Sequence, residues 1–194
     1  MIVTKRWLVG AALAVAVLQI GFLVSMIAGR ASVLRTGQEV TLEVLPIDPR
    51  DLLRGDYVIL GYPISTIGAD LFADPLPGDG EGAARTVYVR LRPGDDGLWQ
   101  AGAASLDAPP QPAPGENEVD IRGTIQDSWF EGQTLVSVSY GIERYYVPEG
   151  EGREIEQGIG VRPFRVKVAV ARDGAAQIKA LYDGDVMLYE EPFF

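Results

Sequence analysis

The sequence contains no cysteine and no histidine among its 194 residues. Without cysteine the chain forms no disulfide and no thiolate metal site. Without histidine it lacks the commonest general base and the commonest zinc ligand. Lysine is also scarce, since Lys167 and Lys179 are the only lysines beyond residue 36. These absences exclude thiol and histidine-based enzymes and leave few candidates for the base of a Ser/Lys hydrolase.

Acidic side chains are absent from the first 36 residues, and all 27 of them lie in the rest of the chain. That part also holds 13 of the 17 lysines and arginines, so its formal net charge is −14. A surface of this charge repels the phosphates of nucleic acids and of anionic lipids. We therefore expect no nucleic-acid partner.

Residues 7–29 form a long apolar run without a formally charged side chain. At 1.5 Å per helical residue, this run spans the roughly 30 Å hydrocarbon core of a bilayer. A cleaved signal peptide is the alternative, because Lys5 and Arg6 precede the run. However, the apolar region of a signal peptide has only about 7–15 residues, and no Ala-x-Ala cleavage site follows here. The sequence therefore predicts an uncleaved single-pass anchor that contacts the bilayer through residues 7–29.

This anchor divides the chain into four parts. Residues 1–6 are predicted to be a cytoplasmic N-terminus, 7–29 a transmembrane helix, 30–36 a juxtamembrane linker and 37–194 an extracytoplasmic domain. The positive-inside rule gives only a slight bias, because basic residues flank the run on both sides. Together with the acidic domain, this bias favours the inner (cytoplasmic) membrane with the C-terminal domain outside the cytoplasm.

Beyond residue 36 the pattern is that of short strands. Alternating apolar residues predict strands at 40–44, 56–64, 86–92, 98–102, 119–125, 134–140, 164–171 and 175–182. Asp-Gly pairs join two pairs of strands into hairpins, because both turn positions favour φ > 0. The segments 119–125 and 134–140 are expected to pair with each other. The strand-turn-strand unit in each half hints at an internal duplication.

We therefore expect a mainly β fold. The transmembrane helix is followed by an antiparallel β-sandwich or partly open β-barrel domain with one or two short helices. Residues 107–115 contain four prolines and are expected to form an irregular linker.

The first notable motif, residues 48–62, combines a capped helical turn with a strand. Asp48 can cap the turn, Asp51 faces its free amides, and Gly55 suits its left-handed end. Arginines four positions apart then bond carboxylates within the turn, or clamp an anionic ligand. The first interpretation explains every residue without a ligand. The candidate binding residues of this motif are Asp48, Arg50, Asp51, Arg54, Gly55, Asp56, Tyr57, Leu60 and Tyr62.

The second motif, residues 140–156, is rich in tyrosine and glutamate. Its acids lie where a short helix through Gln157 is predicted to begin, and negative charge is favourable there. The same acids can be read as a Ca²⁺ or Mg²⁺ site or as an acid/base pair, but the spacing is not that of an EF-hand. The candidate residues of this motif are Tyr140, Glu143, Arg144, Tyr145, Glu149 and Glu151. We assign no catalytic residue, no metal site and no cofactor to them.

The two motifs are predicted to meet in space. Their charges are complementary, and both lie beside segments expected to be buried strands. The expected ion pairs join Arg50, Arg54 or Arg144 to Asp56, Glu149 or Glu151.

Both motifs, in this order, resemble the GDYXXLXY family. The pattern that names the family appears here as Gly55, Asp56, Tyr57, Leu60 and Tyr62. The resemblance extends from about residue 37 to residue 181 and includes the preceding anchor. It implies a single-span membrane protein of bacterial envelopes, often encoded beside polytopic membrane proteins. It brings no established activity and no catalytic residues.

Three classes of function follow. The first is a non-enzymatic accessory protein that docks on a polytopic membrane partner. The second is an extracytoplasmic module that binds a glycan or a divalent cation. The third is a hydrolase based on a carboxylate pair or a Ser/Lys dyad, which the residue types favour least, because Lys167 should point to water. A binder should have a pocket where the motifs converge, whereas an accessory subunit should expose an apolar patch.

Overall fold

A single long helix, α1 (Lys5–Thr36), contains the whole apolar run. The structure is a computed structural model that describes residues 5–46, 57–73, 84–125, 134–148 and 150–192. Within these residues α1 is the one helix long and apolar enough to cross a membrane. Its side chains from Trp7 to Arg30 are exposed on every face. Residues 30–36, expected to be a linker, continue the helix without a break.

Antiparallel strands form most of the described chain beyond α1, which confirms the mainly β fold. They are β1 (Gln38–Glu43), β2 (Tyr57–Ile59), β3 (Thr66–Gly68), β4 (Arg85–Pro93), β5 (Trp99–Leu106), β6 (Val119–Ile125), β7 (Leu135–Ser137), β8 (Arg144–Tyr146), β9 (Phe164–Val170), β10 (Ala176–Asp183) and β11 (Val186–Glu190). A second helix, α2 (Gly152–Ile159), precedes β9. Short 3-10 turns occupy Pro63–Ser65 and Ala69–Leu71.

The strands form two main sheets and two small ribbons. One sheet has the order β1-β9-β10-β11, and the other has the order β5-β4-β6. The ribbons are β2-β8 and β3-β7. Buried residues from all four sheets belong to one hydrophobic cluster, so a single core holds the described part of the domain together.

The hairpins β4-β5 and β9-β10 have the same turn. In the first, the Gly94 amide donates to the Leu98 carbonyl at 2.8 Å. In the second, the Ala171 amide donates to the Ala175 carbonyl at 2.8 Å. The aspartate of each Asp-Gly pair accepts a hydrogen bond from the amide two residues later. In each Asp-Gly pair the glycine, Gly97 or Gly174, has positive φ and the aspartate does not, so the prediction that both residues of each pair do was wrong. The aspartate side chain stabilises a longer turn in which only glycine is left-handed.

The two hairpins also share a β-bulge at equivalent positions. Gly102 is left unpaired between β5 and β4, and Lys179 is left unpaired between β10 and β9. These residues are separated by 77 positions, as are the aspartates of the two turns. A bulge and a turn repeated at one spacing agree with the internal duplication that the sequence suggested.

The duplicated halves exchange strands. β1 precedes the first hairpin but pairs with β9 of the second. β6 precedes the second hairpin but pairs with β4 of the first. Each main sheet therefore contains a hairpin from one half and a strand from the other, so neither half completes a sheet alone.

Two predicted strands were wrong in extent or partner. The segment 56–64 was predicted as one strand, but β2 ends at Ile59 and the chain turns at Pro63–Ser65. Proline at residue 63 has no amide hydrogen to donate to a ladder. β6 has its predicted bounds but does not form a ladder with 134–140. A single bridge joins Thr124 to Ser139, while β7 pairs with β3.

Candidate functional site

The two motifs meet along one antiparallel pairing. Tyr57 pairs with Tyr146 in the β2-β8 ribbon, and Thr66 pairs with Ser137 in the β3-β7 ribbon. Both ribbons have the same register, as though they were one ladder interrupted in the middle. The interruption lies at residues 61–64 and 139–142, where no strand is assigned.

Two tyrosine side chains bridge this interruption reciprocally. The Tyr62 hydroxyl donates to the Ile142 carbonyl at 2.7 Å, and the Tyr140 hydroxyl donates to the Ile64 carbonyl at 2.7 Å. Each tyrosine thus bonds the residue two positions after the other one. Both are buried, with 2% and 7% of their surfaces exposed. Side-chain bonds therefore replace the missing backbone bonds, as buried polar groups require.

Glu143 supports the second tyrosine. Its carboxylate accepts hydrogen bonds from the Tyr140 amide at 2.5 Å and from the Gly141 amide at 2.9 Å. Burial, followed by the charge of Glu143, raises the pKa values of Tyr62 and Tyr140 above the usual range of tyrosine. Both phenols are therefore neutral donors at physiological pH. The bonds of Glu143 are structural rather than those of a free general base.

The β2-β8 ribbon has a buried and an outer face. Val58 and Tyr145 point into the core. Tyr145 lies beside Tyr189, and burial raises its pKa to about 12. On the outer face, the Tyr57 and Tyr146 rings pack edge to face with centroids 6.0 Å apart.

An arginine completes this outer face. The Arg144 guanidinium lies 5.6 Å from the centroid of the Tyr57 ring. Arg144 was expected to pair with a carboxylate such as Glu151, but these two side chains form no ion pair. Tyr146 is 69% exposed, which is unusual for an aromatic side chain of this size. We call Tyr57, Arg144 and Tyr146 the outer cluster.

The remaining candidate residues divide into two groups. Leu60 of the first motif is fully buried, and Glu151 of the second precedes α2 without a side-chain cap bond. The others lie outside the described residues, namely Asp48, Arg50, Asp51, Arg54, Gly55, Asp56 and Glu149.

The lysines of the domain are engaged in ion pairs. Glu39 on β1 bonds Lys179, and it lies 3.3 Å from Lys167. The hydrogen bond from Lys179, followed by the bond from Lys167, lowers the pKa of Glu39. In the described chain no group of three or more acidic side chains is placed to hold a metal ion.

A cleft of about 700 Å³ lies away from both motifs. It opens between the end of α1, the β6 strand, the β9-β10 turn and the proline-rich segment 109–114. The sequence predicted an irregular linker for this segment and did not predict a cleft. The sequence feature that could have indicated the cleft is Arg90, a charged residue at an alternating strand position. Its side chain is buried, and Arg90 is only 5% exposed.

Arg90 holds the proline-rich wall of this cleft in place. Its guanidinium donates to the carbonyls of Pro110 at 2.7 Å and Pro112 at 2.6 Å. It also makes two bonds to the Asp120 carboxylate, at 2.8 and 2.9 Å. The bond to Asp120 is the largest cause of the raised pKa of Arg90, which stays charged. A planar donor with five N–H groups suits this set of acceptors.

Comparison with known proteins gives one match. The family model described as GDYXXLXY protein matches residues 19–181. No curated protein and no solved structure shows significant similarity to the chain. The matched region includes the second half of α1, both motifs and both hairpins. The chain therefore belongs to the GDYXXLXY family.

Proposed function

We propose that this chain is a membrane-anchored, non-enzymatic accessory protein of the bacterial envelope whose β-domain docks on a polytopic membrane protein. The observation that carries this proposal is the outer cluster on the ribbon where the motifs meet, in which Arg144 and Tyr146 are exposed and Tyr57 is half-buried. Tyrosine and arginine are enriched at the energetic centres of protein interfaces. The cleft of about 700 Å³ is not lined by the described residues of this ribbon, and the surface of the outer cluster suits a protein partner better than a small ligand.

The junction between α1 and the domain supports the proposal. Ala31 and Leu34 of α1 are buried, and the end of the helix packs against β9 and β10. Gly37 makes the close turn into β1, because a Cβ there would lie 2.6 Å from the Val33 carbonyl oxygen and 3.0 Å from the Val170 amide. An anchor packed in this way presents the outer cluster at a constant orientation to a neighbour in the same membrane.

The chemistry of the described residues also favours a non-enzymatic role. A Ser/Lys hydrolase needs an uncharged lysine, but Lys167 and Lys179 both lie against Glu39. A binding module is the second candidate, and the cleft of about 700 Å³ is the observation that favours it.

The membrane arrangement can be tested with single cysteines, because the natural chain has none. A cysteine at exposed Met187 should react in intact cells with a membrane-impermeant maleimide that crosses the outer membrane. A cysteine at residue 2 should react only after lysis. The intact chain should also stay in the membrane fraction after alkaline carbonate washing. Release by carbonate, or the reverse labelling pattern, would refute this arrangement.

The docking surface can be tested by site-specific crosslinking of the full-length chain. A photoreactive amino acid at Tyr146 should crosslink one polytopic membrane protein, whereas the same group at Val186, also exposed, should not. Tyr146→Ala and Arg144→Ala should abolish co-purification of that protein without lowering the melting temperature. Equal crosslinking from both positions, or a chain that purifies alone, would contradict the proposal.

A further inference from the structure

The cleft beside the end of α1 has the composition of a site for an amphipathic molecule. Val119 and Val170 contribute apolar surface, and the prolines of segment 109–114 form one wall. The ring of Tyr88 also lines it. A volume of about 700 Å³ lies within the usual range of small-molecule sites, roughly 300–1,000 Å³.

The cleft is rigid on its proline side. Arg90 bonds two carbonyls of the proline segment and the Asp120 carboxylate at the same time. The rings of the prolines in this segment also fix the backbone angle φ, so the segment has few accessible conformations. A preorganised wall reduces the ordering entropy that a ligand would otherwise have to overcome.

The position of the cleft relative to α1 indicates where its ligand comes from. Thr36 lines the cleft and lies seven residues beyond Gly29, the end of the apolar run. At 1.5 Å per residue this separation is about 10 Å along the helix. The polar layer on each side of a bilayer is roughly 5–8 Å thick. If α1 spans the membrane, Thr36 therefore lies just beyond the headgroup layer, and the cleft beside it is within reach of the lipid headgroups.

The charged residues of the cleft have both signs. Arg172 has no ion pair or hydrogen bond to any residue that the structure describes, and Arg122 lies 3.7 Å from Asp173. Glu118 contributes a carboxylate that accepts a hydrogen bond from the Gly115 amide at 3.1 Å and lies 3.9 Å from Arg90 and 3.8 Å from Arg92. Arginines suit a phosphate, and a carboxylate with remaining acceptor capacity suits an ammonium group. The net charge of −14 beyond residue 36 disfavours a ligand that is only anionic.

We propose that this cleft binds the zwitterionic headgroup of a bilayer phospholipid that carries phosphoethanolamine. Arg122 and Arg172 bind the phosphate diester, and Glu118 binds the ammonium group. Val119 and Val170 contact the apolar atoms next to the phosphate. This inference rests on α1 as a membrane anchor but is independent of the docking partner.

Native mass spectrometry of the full-length chain in detergent tests this inference. The chain is mixed with equal amounts of phosphatidylethanolamine, phosphatidylcholine and phosphatidylglycerol. We expect one bound phosphatidylethanolamine, in preference to the other two. Glycerophosphoethanolamine, which lacks acyl chains, should compete with it and thereby separate headgroup recognition from acyl-chain binding.

The two arginines serve for substitution because both are exposed, and the ion pair of Arg122 with Asp173 is long and solvent-exposed. Arg122→Gln and Arg172→Gln should each weaken phosphatidylethanolamine binding about tenfold, as expected for the loss of a charge-assisted hydrogen bond. Arg165→Gln, at the far end of β9, should leave binding unchanged. Glu118→Gln should reduce the preference for the ethanolamine lipid over phosphatidylglycerol.

Three outcomes would overturn the inference. They are equal binding of all three lipids, a preference for phosphatidylglycerol, and lipid binding that persists in the Arg122→Gln/Arg172→Gln double variant. Loss of the docking partner would leave the lipid result unaffected, so the two proposals fail separately.

Discussion

The hydroxyl of Tyr62 donates to the carbonyl oxygen of Ile142, a residue 80 positions later in the chain, at 2.7 Å. Tyr140 and Ile64 repeat this bond in the opposite direction, across 76 positions. Tyr62 is the second tyrosine of the family pattern. Its hydrogen bond and that of Tyr140 join the two duplicated halves, and we call this pair of bonds the reciprocal lock. The buried hydrogen bond of Tyr62 gives this residue a structural role that requires no ligand.

Tyr62→Phe should destabilise the domain by about 1–3 kcal/mol, because it leaves a buried carbonyl without its donor. Tyr140→Phe should have a similar effect. Tyr146→Phe is the matched control, since that ring is exposed and its change should stay within about 0.5 kcal/mol. Thermal unfolding of the full chain in detergent, followed by circular dichroism, measures these differences. Equal melting temperatures for Tyr62→Phe and Tyr146→Phe would contradict the proposed lock.

Alkaline pH should unfold the domain through its buried tyrosines. The pKa values of Tyr62 and Tyr140 are raised in the folded state, so the unfolded state releases protons first as the pH rises. The contribution of Tyr62 and Tyr140 to stability is therefore fully present below about pH 10. Above this pH the free energy of unfolding falls as the pH rises. Each tyrosine contributes about 1.4 kcal/mol per pH unit until the folded state also ionises.

Phenolate absorbance near 295 nm follows this transition directly. Tyr62 and Tyr140 should ionise only together with loss of the β-sheet signal, because burial raises their pKa values. The Tyr62→Phe/Tyr140→Phe variant should show a shallower loss of stability above pH 10. A single smooth titration of all tyrosines in a folded domain would rule out this mechanism.

Arg90→Ala should be strongly destabilising, by about 3–5 kcal/mol, because it leaves the carboxylate of Asp120 buried without its partner. The duplication offers a matched control in Lys167, which occupies the position 77 residues later. Lys167→Ala removes a partly exposed ion pair and should cost less than about 1 kcal/mol. Urea unfolding midpoints of the two variants test the difference.

The two equivalent turn glycines should respond differently to alanine. Gly97 and Gly174 both have positive φ, so alanine is strained at either position. A Cβ at Gly97 meets open space, but one at Gly174 would lie 2.8 Å from the Arg122 Cβ and 2.9 Å from its amide. Gly97→Ala should therefore cost about 1 kcal/mol and Gly174→Ala clearly more. Similar melting temperatures of the two variants would contradict this prediction. They would show that the turn at Gly174 accommodates a Cβ by shifting away from Arg122.

Much of the fold was predictable because local rules specify it. The alternating apolar residues Val58, Leu60, Tyr62 and Ile64 of the predicted strand 56–64 are all buried. The hairpins were located by turn residues whose conformational preferences are local. The predicted strand through Ile64 failed because proline ended the ladder.

The candidate site was only partly predictable. Tyrosine-rich motifs indicated that the rings would need polar partners, but not which carbonyls would supply them. The cleft was missed because its wall is a proline segment held by an arginine from another strand. Such contacts join residues far apart in the sequence, where periodicity carries no information.

The sequence by itself determined the apolar helix, the β-rich domain, the two hairpins and the acidic surface, because composition and local periodicity depend only on neighbouring residues. Only the tertiary structure decided that β1 pairs with β9 and β6 with β4, that two tyrosines close the gap between ribbons, and that prolines wall a cleft. The physical reason is that strand partners are chosen by burial in a shared core, and many partners satisfy the same alternating pattern.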